Sequence, residues 1–516
     1  MEAGNELSMQ LSKQTLKKIT PQKDLSIPEE KLLELPEKVL QFGTGVLLRG
    51  LPDYFIDKAN RQGIFNGRVV IVKSTSAGGT DEFGKQDGLF TLCVKGIENG
   101  IQVDEVIINS SISRVLSAKE EWKDILACAH NPAMQVVISN TTEVGITLVN
   151  EDIHQSPPQS FPGKLLAFLY ERFKAFNGSE ESGMVIIPTE LIIDNGKKLK
   201  AIVLELAAFN KLDDSFVTWL DKTNHFCSSL VDRIVPGKLP EKDRISTENK
   251  LGYTDDLMIL SEVFRLWAIE SGSEKVKEIL SFHKADEGVV IAPDIEKFRE
   301  LKLRLLNGTH TFSCGLAYLS GFTTVKEAMA NELMSSFVYN LAMQELATAV
   351  ANDIITYNEA CEFAGKVLDR FRNPSLDHQW ISISVQYTSK MKMRNVPLLL
   401  RHYSKTDQVP EYMALGFAAY LVFMKATKND KGQFIGQLNG ATYVIQDDHA
   451  AQLAGKWNEN TEENIAEAVL ADKELWGTDL SRLNGFADAV KTNIQSLMQN
   501  GGIAALQQVQ LNKIIA

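Results

Sequence analysis

The pattern of apolar and polar positions divides the chain into two regimes. Up to about residue 290, short β-branched runs alternate with segments of helical spacing. KVLQFGTG (Lys38–Gly45) is an apolar run closed by glycines. VLLRGLPDYFIDKANRQG follows with apolar residues at helical intervals, and RVVIVKST (Arg68–Thr75) is β-branched again. Strand, glycine turn, helix and strand open a βαβ unit. Further strands are predicted at Gln135–Ser139 (QVVIS) and Met184–Ile187 (MVII), with a helix at Lys164–Phe176 among the intervening segments. Strands that alternate with helices predict a mainly parallel, doubly wound sheet.

From about Asp294 the spacing becomes helical. Helices are predicted over Glu296–Leu306, Thr324–Asn331, Glu332–Ala351, Asn358–Arg372, Tyr412–Ala426 and Thr461–Ala471. The exception is Trp380–Tyr387 (WISISVQY), whose alternation predicts a strand that pairs back onto the first domain. The first 36 residues are charged and carry Pro21, Pro28 and Pro36, which predicts an extension packed on the outside. The fold class is therefore α/β: an extension (1–36), a Rossmann-like doubly wound dinucleotide-binding domain (37–290) and a mostly α-helical substrate and catalytic domain (291–516). A crevice between two such domains is a common place for a small-molecule site.

Composition narrows the function classes. The 516 residues are 44% hydrophobic and 23% charged, with a formal net charge of −12. That balance disfavours nucleic acid and anionic membranes, which select a basic face. No stretch approaches the roughly 18 apolar residues of a membrane span, and MEAGNELSMQ lacks the apolar core of a secretory signal. Cys93, Cys128, Cys227, Cys314 and Cys361 are scattered and never form CxxC, which fits a reduced, cytoplasmic protein. Cys314 reads as a buried structural thiol. His130, His154, His225, His283, His378, His402 and His449 show no ligand spacing, so no metal site is expected.

Two segments carry chemistry. In the turn Gly43-Thr44-Gly45-Val46-Leu47-Leu48-Arg49-Gly50, two glycines would let the backbone approach a pyrophosphate in front of a helix start. Leu48 replaces the third glycine of GxGxxG, and a lone GxG also serves as a plain tight turn. Arg49 is a candidate for the pyrophosphate or for a nearby acid. The second strand ends Val72-Lys73-Ser74-Thr75 without the acid that usually holds an NAD ribose. Lys73 would tolerate a 2′-phosphate, or simply face solvent, so NAD against NADP stays open.

The other segment is Arg299–His310 (RELKLRLLNGTH). On a straight helix Arg299, Lys302 and His310 fall within about 80° of one another, with Asn307 about 60° beyond His310. Lys302 and His310 would stand about 12 Å apart along the axis unless the helix loosens near Gly308. A desolvated lysine can exchange a proton with a carbinol oxygen while hydride moves to nicotinamide, an asparagine N–H can polarise the carbonyl, and a histidine can orient hydroxyls. A helix with a snorkelling lysine and a satisfied core histidine would show the same residues.

These residues resemble the polyol-specific long-chain dehydrogenases, the mannitol dehydrogenase family. KLRLLNGTH matches its Lys-x4-Asn-x2-His motif, and QFGTGVLLRG matches its cofactor turn, including Arg49. Gln86–Thr91 (QDGLFT), Ser139–Gly145 (SNTTEVG), Val231–Pro236 (VDRIVP) and Arg370–Pro374 (RFRNP) resemble further family segments in the family's order, over nearly the whole chain from about Val39. The resemblance implies Lys302 as general acid and base, Asn307 polarising the carbonyl, His310 on substrate hydroxyls, Asp232 in support, and Thr142 and Glu143 at the cofactor. Glu143 and Glu190, at strand ends, read as supporting acids or as helix caps.

Departures from the polyol pattern point to a uronate branch. Arg299 stands where polyol enzymes carry Glu. Pro188–Gly196 (PTELIIDNG) has Leu191 at the place of an Asn, leaving Asn195 as the nearby substitute. A uronate carboxylate asks for a forked cation. The candidates are Arg299 and the alternating Lys390, Lys392 and Arg394, which would share one face if extended. The activity implied is reversible, NAD-dependent reduction of D-tagaturonate to D-altronate in hexuronate breakdown, by a monomer or weak homo-oligomer. The alternatives are reduction of D-fructuronate and oxidation of an uncharged polyol.

Overall fold

The computed structural model describes residues 9–74, 80–141 and 145–515. The chain forms two compact units. The first takes in residues up to Lys95 and Gln102–Ile295; the second takes in Gly96–Ile101 and the chain from Glu296 onward.

The first unit is built on a six-stranded sheet: β1 (Glu37–Phe42), β2 (Arg68–Lys73), β3 (Ile112–Ser117), β4 (Val136–Ser139), β5 (Val185–Pro188) and β6 (His225–Phe226). Every pairing is parallel and the spatial order is β6-β5-β4-β1-β2-β3. This is the doubly wound order, with its switch point between β1 and β4. Register sets Phe42 opposite both Val72 and Ser139.

The strands read as unbroken apolar runs because both faces are covered. Val39, Val69, Ile71, Val136, Ile138, Val185 and Ile187 enter one core layer. Their neighbours Leu40, Phe42, Val70, Val72, Val137 and Ile186 enter the other. At about 1.5–3 kcal/mol per fully buried aliphatic side chain, both layers contribute strongly to holding these strands in register. Smaller sheets flank this core, among them Ser229–Asp232, Leu266–Glu270 and Val289–Ala292.

The amino-terminal segment does more than cover the outside. Met9–Gln10 pairs with Tyr253–Thr254, and Leu25–Ser26 pairs with Val106–Ile107. Leu11, Leu16, Ile19 and Leu25 are buried with Ile108, Leu251 and Tyr253 in a core of their own.

The second unit is mainly helical, with most helices within a few residues of expectation. Helix Glu411–Phe423 is buried on nearly all sides, as its uniformly apolar sequence requires. It packs against Asn307–Leu319 at unusually short range, because each helix offers a glycine. A Cβ on Gly315 would lie 2.8 Å from the Ala419 carbonyl, and one on Gly416 would lie 2.8 Å from the Phe312 carbonyl.

Two expectations are corrected here. Trp380–Tyr387 is not a strand: Trp380–Ile383 is a short helix, and a second one, Tyr387–Lys390, starts after left-handed Gln386. The buried positions Trp380, Ile383, Ser384 and Tyr387 follow i, i+3, i+4 and i+7, a helical spacing hidden inside the alternation. Lys390, Lys392 and Arg394 therefore do not share an extended face. Residues 391–395 continue as a π-helical turn, which keeps Lys390 and Arg394 on one side. Lys392 turns away and donates to the Glu474 carbonyl (3.1 Å). Among the described residues no helix is long and apolar enough to cross a membrane.

Candidate active site

At the switch point of the first unit a cleft of about 680 Å³ opens beyond the strand ends. Gly43, Thr44 and Gly45 after β1, Ser74 after β2, and Asn140 and Thr141 after β4 line it, with Ser160, Phe161 and Lys164 opposite. Gly43 has φ +129°, and a Cβ there would meet Leu48 Cδ1 at 2.9 Å and the Asn140 carbonyl at 3.0 Å. Gly45 has open space around its Cα.

The Asn140–Thr141 wall is held by Glu190, just past the end of β5. Its carboxylate accepts from the Thr141 amide (2.8 Å), the Thr141 hydroxyl (3.0 Å) and Ser139 Oγ (3.2 Å). Asn140 Nδ2 donates to Thr189 Oγ1 (3.0 Å). Burial raises the Glu190 carboxyl above its ordinary range, against the pull of these donors.

Two expected contacts lie elsewhere. Arg49 does not face the cleft: its guanidinium is buried, donates to the Leu257 carbonyl (2.6 Å) and lies over Phe83 and Phe90. Lys73 closes β2 and is half-buried, while Ser74 takes the lining position. Thr142 and Glu143 lie outside the described residues.

Asn195 is likewise no exposed substitute for a carbonyl donor. It is fully buried at the start of helix Asn195–Phe209. Its amide donates to the Pro188, Glu190 and Ser229 carbonyls at 3.0–3.1 Å and accepts from the Gly196 and Ser229 amides at 2.9 Å. Every hydrogen-bonding position is used on backbone. Asn195→Ala is expected to destabilise folding by roughly 3 kcal/mol, because it orphans buried partners; a denaturant midpoint checks this. Unchanged stability with lost substrate affinity would return Asn195 to substrate contact. Asp232 is also buried, at the end of strand Ser229–Asp232.

In the second unit the Lys–Asn–His segment is one helix with an insertion. Glu296–Leu301 is α-helical, Lys302–Leu306 is a π turn, and Asn307–Leu319 is α-helical again. A π turn holds one extra residue, a lag of roughly 100° for everything after it. On that count Lys302, Asn307 and His310 fall within roughly 60° of one another instead of the 140° of a straight helix. The loosening lies at Lys302–Leu306, ahead of Gly308. The π turn thus turns the Lys-x4-Asn-x2-His spacing into a stripe. Arg299 is already engaged in an ion pair with Glu296.

His310 sits deep in unit two. Its ring stacks on Phe371 (centroids 4.0 Å apart) and meets His378 (5.1 Å) and Trp380 (6.1 Å) edge-on. Burial, then the charges of His378, Arg370, Arg394 and Lys390, push its imidazole well below the ordinary range. The ring is neutral at physiological pH. Arg394 Nη1 donates to Thr311 Oγ1 (3.2 Å), while its Nε is buried without a hydrogen-bond partner. Lys390 Nζ donates to the Ile383 carbonyl (2.9 Å).

Comparison with known proteins gives this arrangement its family. The mannitol dehydrogenase Rossmann domain matches residues 37–280, and the mannitol dehydrogenase C-terminal domain matches residues 294–498. The chain belongs to the mannitol dehydrogenase family. It is 39% identical to an altronate oxidoreductase of Halalkalibacterium halodurans, over 93% of this chain and 94% of that one. It is 35% identical to the Bacillus subtilis altronate oxidoreductase, over 92% and 95%. Among solved structures it resembles Pseudomonas fluorescens mannitol 2-dehydrogenase, in ternary complex with NAD and D-mannitol, with a TM-score of 0.65 and 23% identity over 97% and 99% of the chains. As a member of the mannitol dehydrogenase family the chain is an oxidoreductase acting on CH–OH groups.

Within this mannitol dehydrogenase relative, sequence reasoning passed over His378 and the grip of Glu190 on Thr141. Neither has a periodic signal. His378 was weighed only as a metal ligand, and its pairing with His310 exists only in the folded unit.

Proposed function

We propose that the chain catalyses the reversible, NAD-dependent reduction of D-tagaturonate to D-altronate. The observation that carries this reading is Arg394, which donates to Thr311 beside His310, on the helix that bears Asn307, while its buried Nε has no hydrogen-bond partner. An uncharged polyol gives no reason for a half-buried forked cation there, whereas a sugar-acid carboxylate does. The altronate oxidoreductase names of the relatives support the same choice. Five free thiols, four of them buried, fit work in the reducing cytoplasm, as a monomer or weak homo-oligomer.

The first unit suits a dinucleotide. Gly43 keeps the turn closed against Asn140 where a Cβ would clash, and Gly45 leaves backbone open to the cleft. Gly43–Gly45, Ser74, Asn140 and Thr141 would hold the cofactor. When bound as NADH it supplies hydride. In reduction, Lys302 would donate the proton that the carbonyl oxygen gains, and in oxidation it would accept that proton back. Asn307 would direct its side-chain N–H at the same oxygen and stabilise the developing alkoxide. Neutral His310, fixed against Phe371, would orient a substrate hydroxyl.

Arg394 is the preferred carboxylate contact, since Arg299 is already paired. Arg394→Ala is expected to raise KM for D-tagaturonate roughly 10- to 100-fold, the scale of a lost charge-assisted hydrogen bond. KM for an uncharged ketose should move much less. Initial rates of NADH oxidation decide it, and an equal loss on both substrates would remove Arg394 from carboxylate recognition.

A further inference from the structure

We infer that Arg304 is a positioning residue for this reaction: by holding the Met393 and Arg394 carbonyls it fixes where the Arg394 guanidinium stands relative to Lys302 and Asn307. The inference rests on the ketouronate reading above, in which Arg394 meets the substrate carboxylate. Three observations carry it.

The first is a proline. Residues 391–395 form a π turn, and helix Val396–Tyr403 follows with Pro397 in its first turn. Pro397 has no N–H to give to the carbonyl four residues back, which is that of Met393. Arg304 supplies a donor from another helix. Its Nη1 donates to the Met393 carbonyl (2.6 Å) and to the Arg394 carbonyl (2.9 Å). Arg304 itself lies in the π turn Lys302–Leu306, so one side chain joins these two π turns.

The second is the seam that continues along the helix. Asn395 Nδ2 donates to the Gly308 carbonyl (3.3 Å). A Cβ on Gly308 would stand 3.4 Å from Asn395 Oδ1 and 3.3 Å from Leu398 Cδ1. Arg394 Nη1 donates to Thr311 Oγ1 (3.2 Å), and that hydroxyl donates to the Asn307 carbonyl (2.7 Å). Arg394 is thus held at its backbone by Arg304 and at its side chain by Thr311. Both holds lead back to the segment that bears Lys302 and Asn307.

The third is that the charge of Arg304 is already met inside the protein. Arg304 is buried, and its Nε donates to Glu300 Oε2 (3.3 Å), a carboxylate that also pairs with Arg401 (2.7 Å). A planar guanidinium directs N–H groups at one carboxylate and two carbonyls together, a geometry that a lysine ammonium does not reproduce. Arg304 therefore acts on the substrate through Arg394, not by touching it.

The test measures initial rates with NADH on D-tagaturonate and on D-tagatose, its uncharged counterpart, beside thermal melts and NADH fluorescence titrations. The proteins are wild type, Arg304→Gln, Arg304→Lys, and Arg304→Gln combined with Pro397→Ala. For Arg304→Gln, KM for D-tagaturonate is expected to rise about tenfold, on the scale of one hydrogen bond to a charged group, and KM for D-tagatose by less than about threefold. Arg304→Lys should lie between wild type and Arg304→Gln. NADH affinity should hold, because the candidate cofactor contacts belong to the first unit. Pro397→Ala returns a backbone N–H to the Met393 carbonyl, so the double variant should regain melting temperature without regaining KM for D-tagaturonate. If Arg304→Gln melts too early to assay, Arg304→Lys and the double variant read the same ratio of KM values. Unchanged KM for D-tagaturonate, equal rises on both ketoses, or a double variant with wild-type KM overturns the assignment while leaving the substrate reading intact. A wild type that prefers D-fructuronate overturns the D-tagaturonate reading alone, and the same variants on D-fructuronate against D-fructose then decide Arg304. A wild type that prefers the uncharged ketoses overturns both.

Discussion

Lys302→Ala is expected to lower turnover about a thousandfold, within the 10²–10⁴ range that positioned general acids supply, while NADH affinity changes by less than about twofold. The reason is where each group is anchored. The candidate cofactor contacts Gly43–Gly45, Ser74, Asn140 and Thr141 belong to the first unit. Lys302 opens the π turn of a helix in the second. On the proposed mechanism, removing its ammonium takes away the proton donor for the carbonyl oxygen and leaves the glycine turn as it was. Stopped-flow or steady-state NADH oxidation gives kcat, and quenching or enhancement of NADH fluorescence gives the affinity. A variant with wild-type turnover would remove Lys302 from proton transfer. A variant with equal losses in turnover and NADH affinity would show instead that the helix had been disturbed.

Gly43→Ala and Gly45→Ala are expected to fail in different ways. Gly43 has φ +129°, and its new Cβ would press on Leu48 Cδ1 at 2.9 Å and the Asn140 carbonyl at 3.0 Å. The cost is of the order of 1–3 kcal/mol of backbone strain, so this variant should melt earlier and bind NADH at least tenfold more weakly as the turn shifts. Gly45 has ordinary backbone geometry (φ −62°) and nothing within 4 Å of an added Cβ. Its variant should keep the wild-type melting temperature and still lose NADH affinity, because the new methyl stands where the cofactor would approach. Thermal melts beside NADH titrations separate the two. Unchanged NADH affinity in both variants would mean that this turn does not hold the cofactor.

The parts of this fold that were legible in the sequence are those where burial and periodicity agree. Val69–Val72 and Val136–Ile138 announce a doubly covered parallel sheet because every residue in them is buried. The Lys302, Asn307 and His310 spacing was legible too, but the π turn between them was not. Lys302–Leu306 is a run of good helix formers with no local breaker, and the extra residue is imposed by packing rather than by propensity. WISISVQY carries two periodicities at once, and which of them is buried depends on partners distant in sequence. Arg49 and Asn195 were drawn to the site by their places in segments that resemble the family's; their buried hydrogen bonds make them ties within the scaffold. His378 went the other way, an ordinary-looking histidine that only the folded unit places beside His310.

The measurement that tests the central claim most directly is initial-rate NADH oxidation with D-tagaturonate, D-fructuronate and D-fructose side by side, repeated with NADPH. The cations around His310 and the turn at Gly43–Gly45 predict turnover of D-tagaturonate with NADH at a kcat/KM well above that of every other pairing. Preference for D-fructose would contradict the account, because Lys390 and Arg394 would then have no carboxylate to meet.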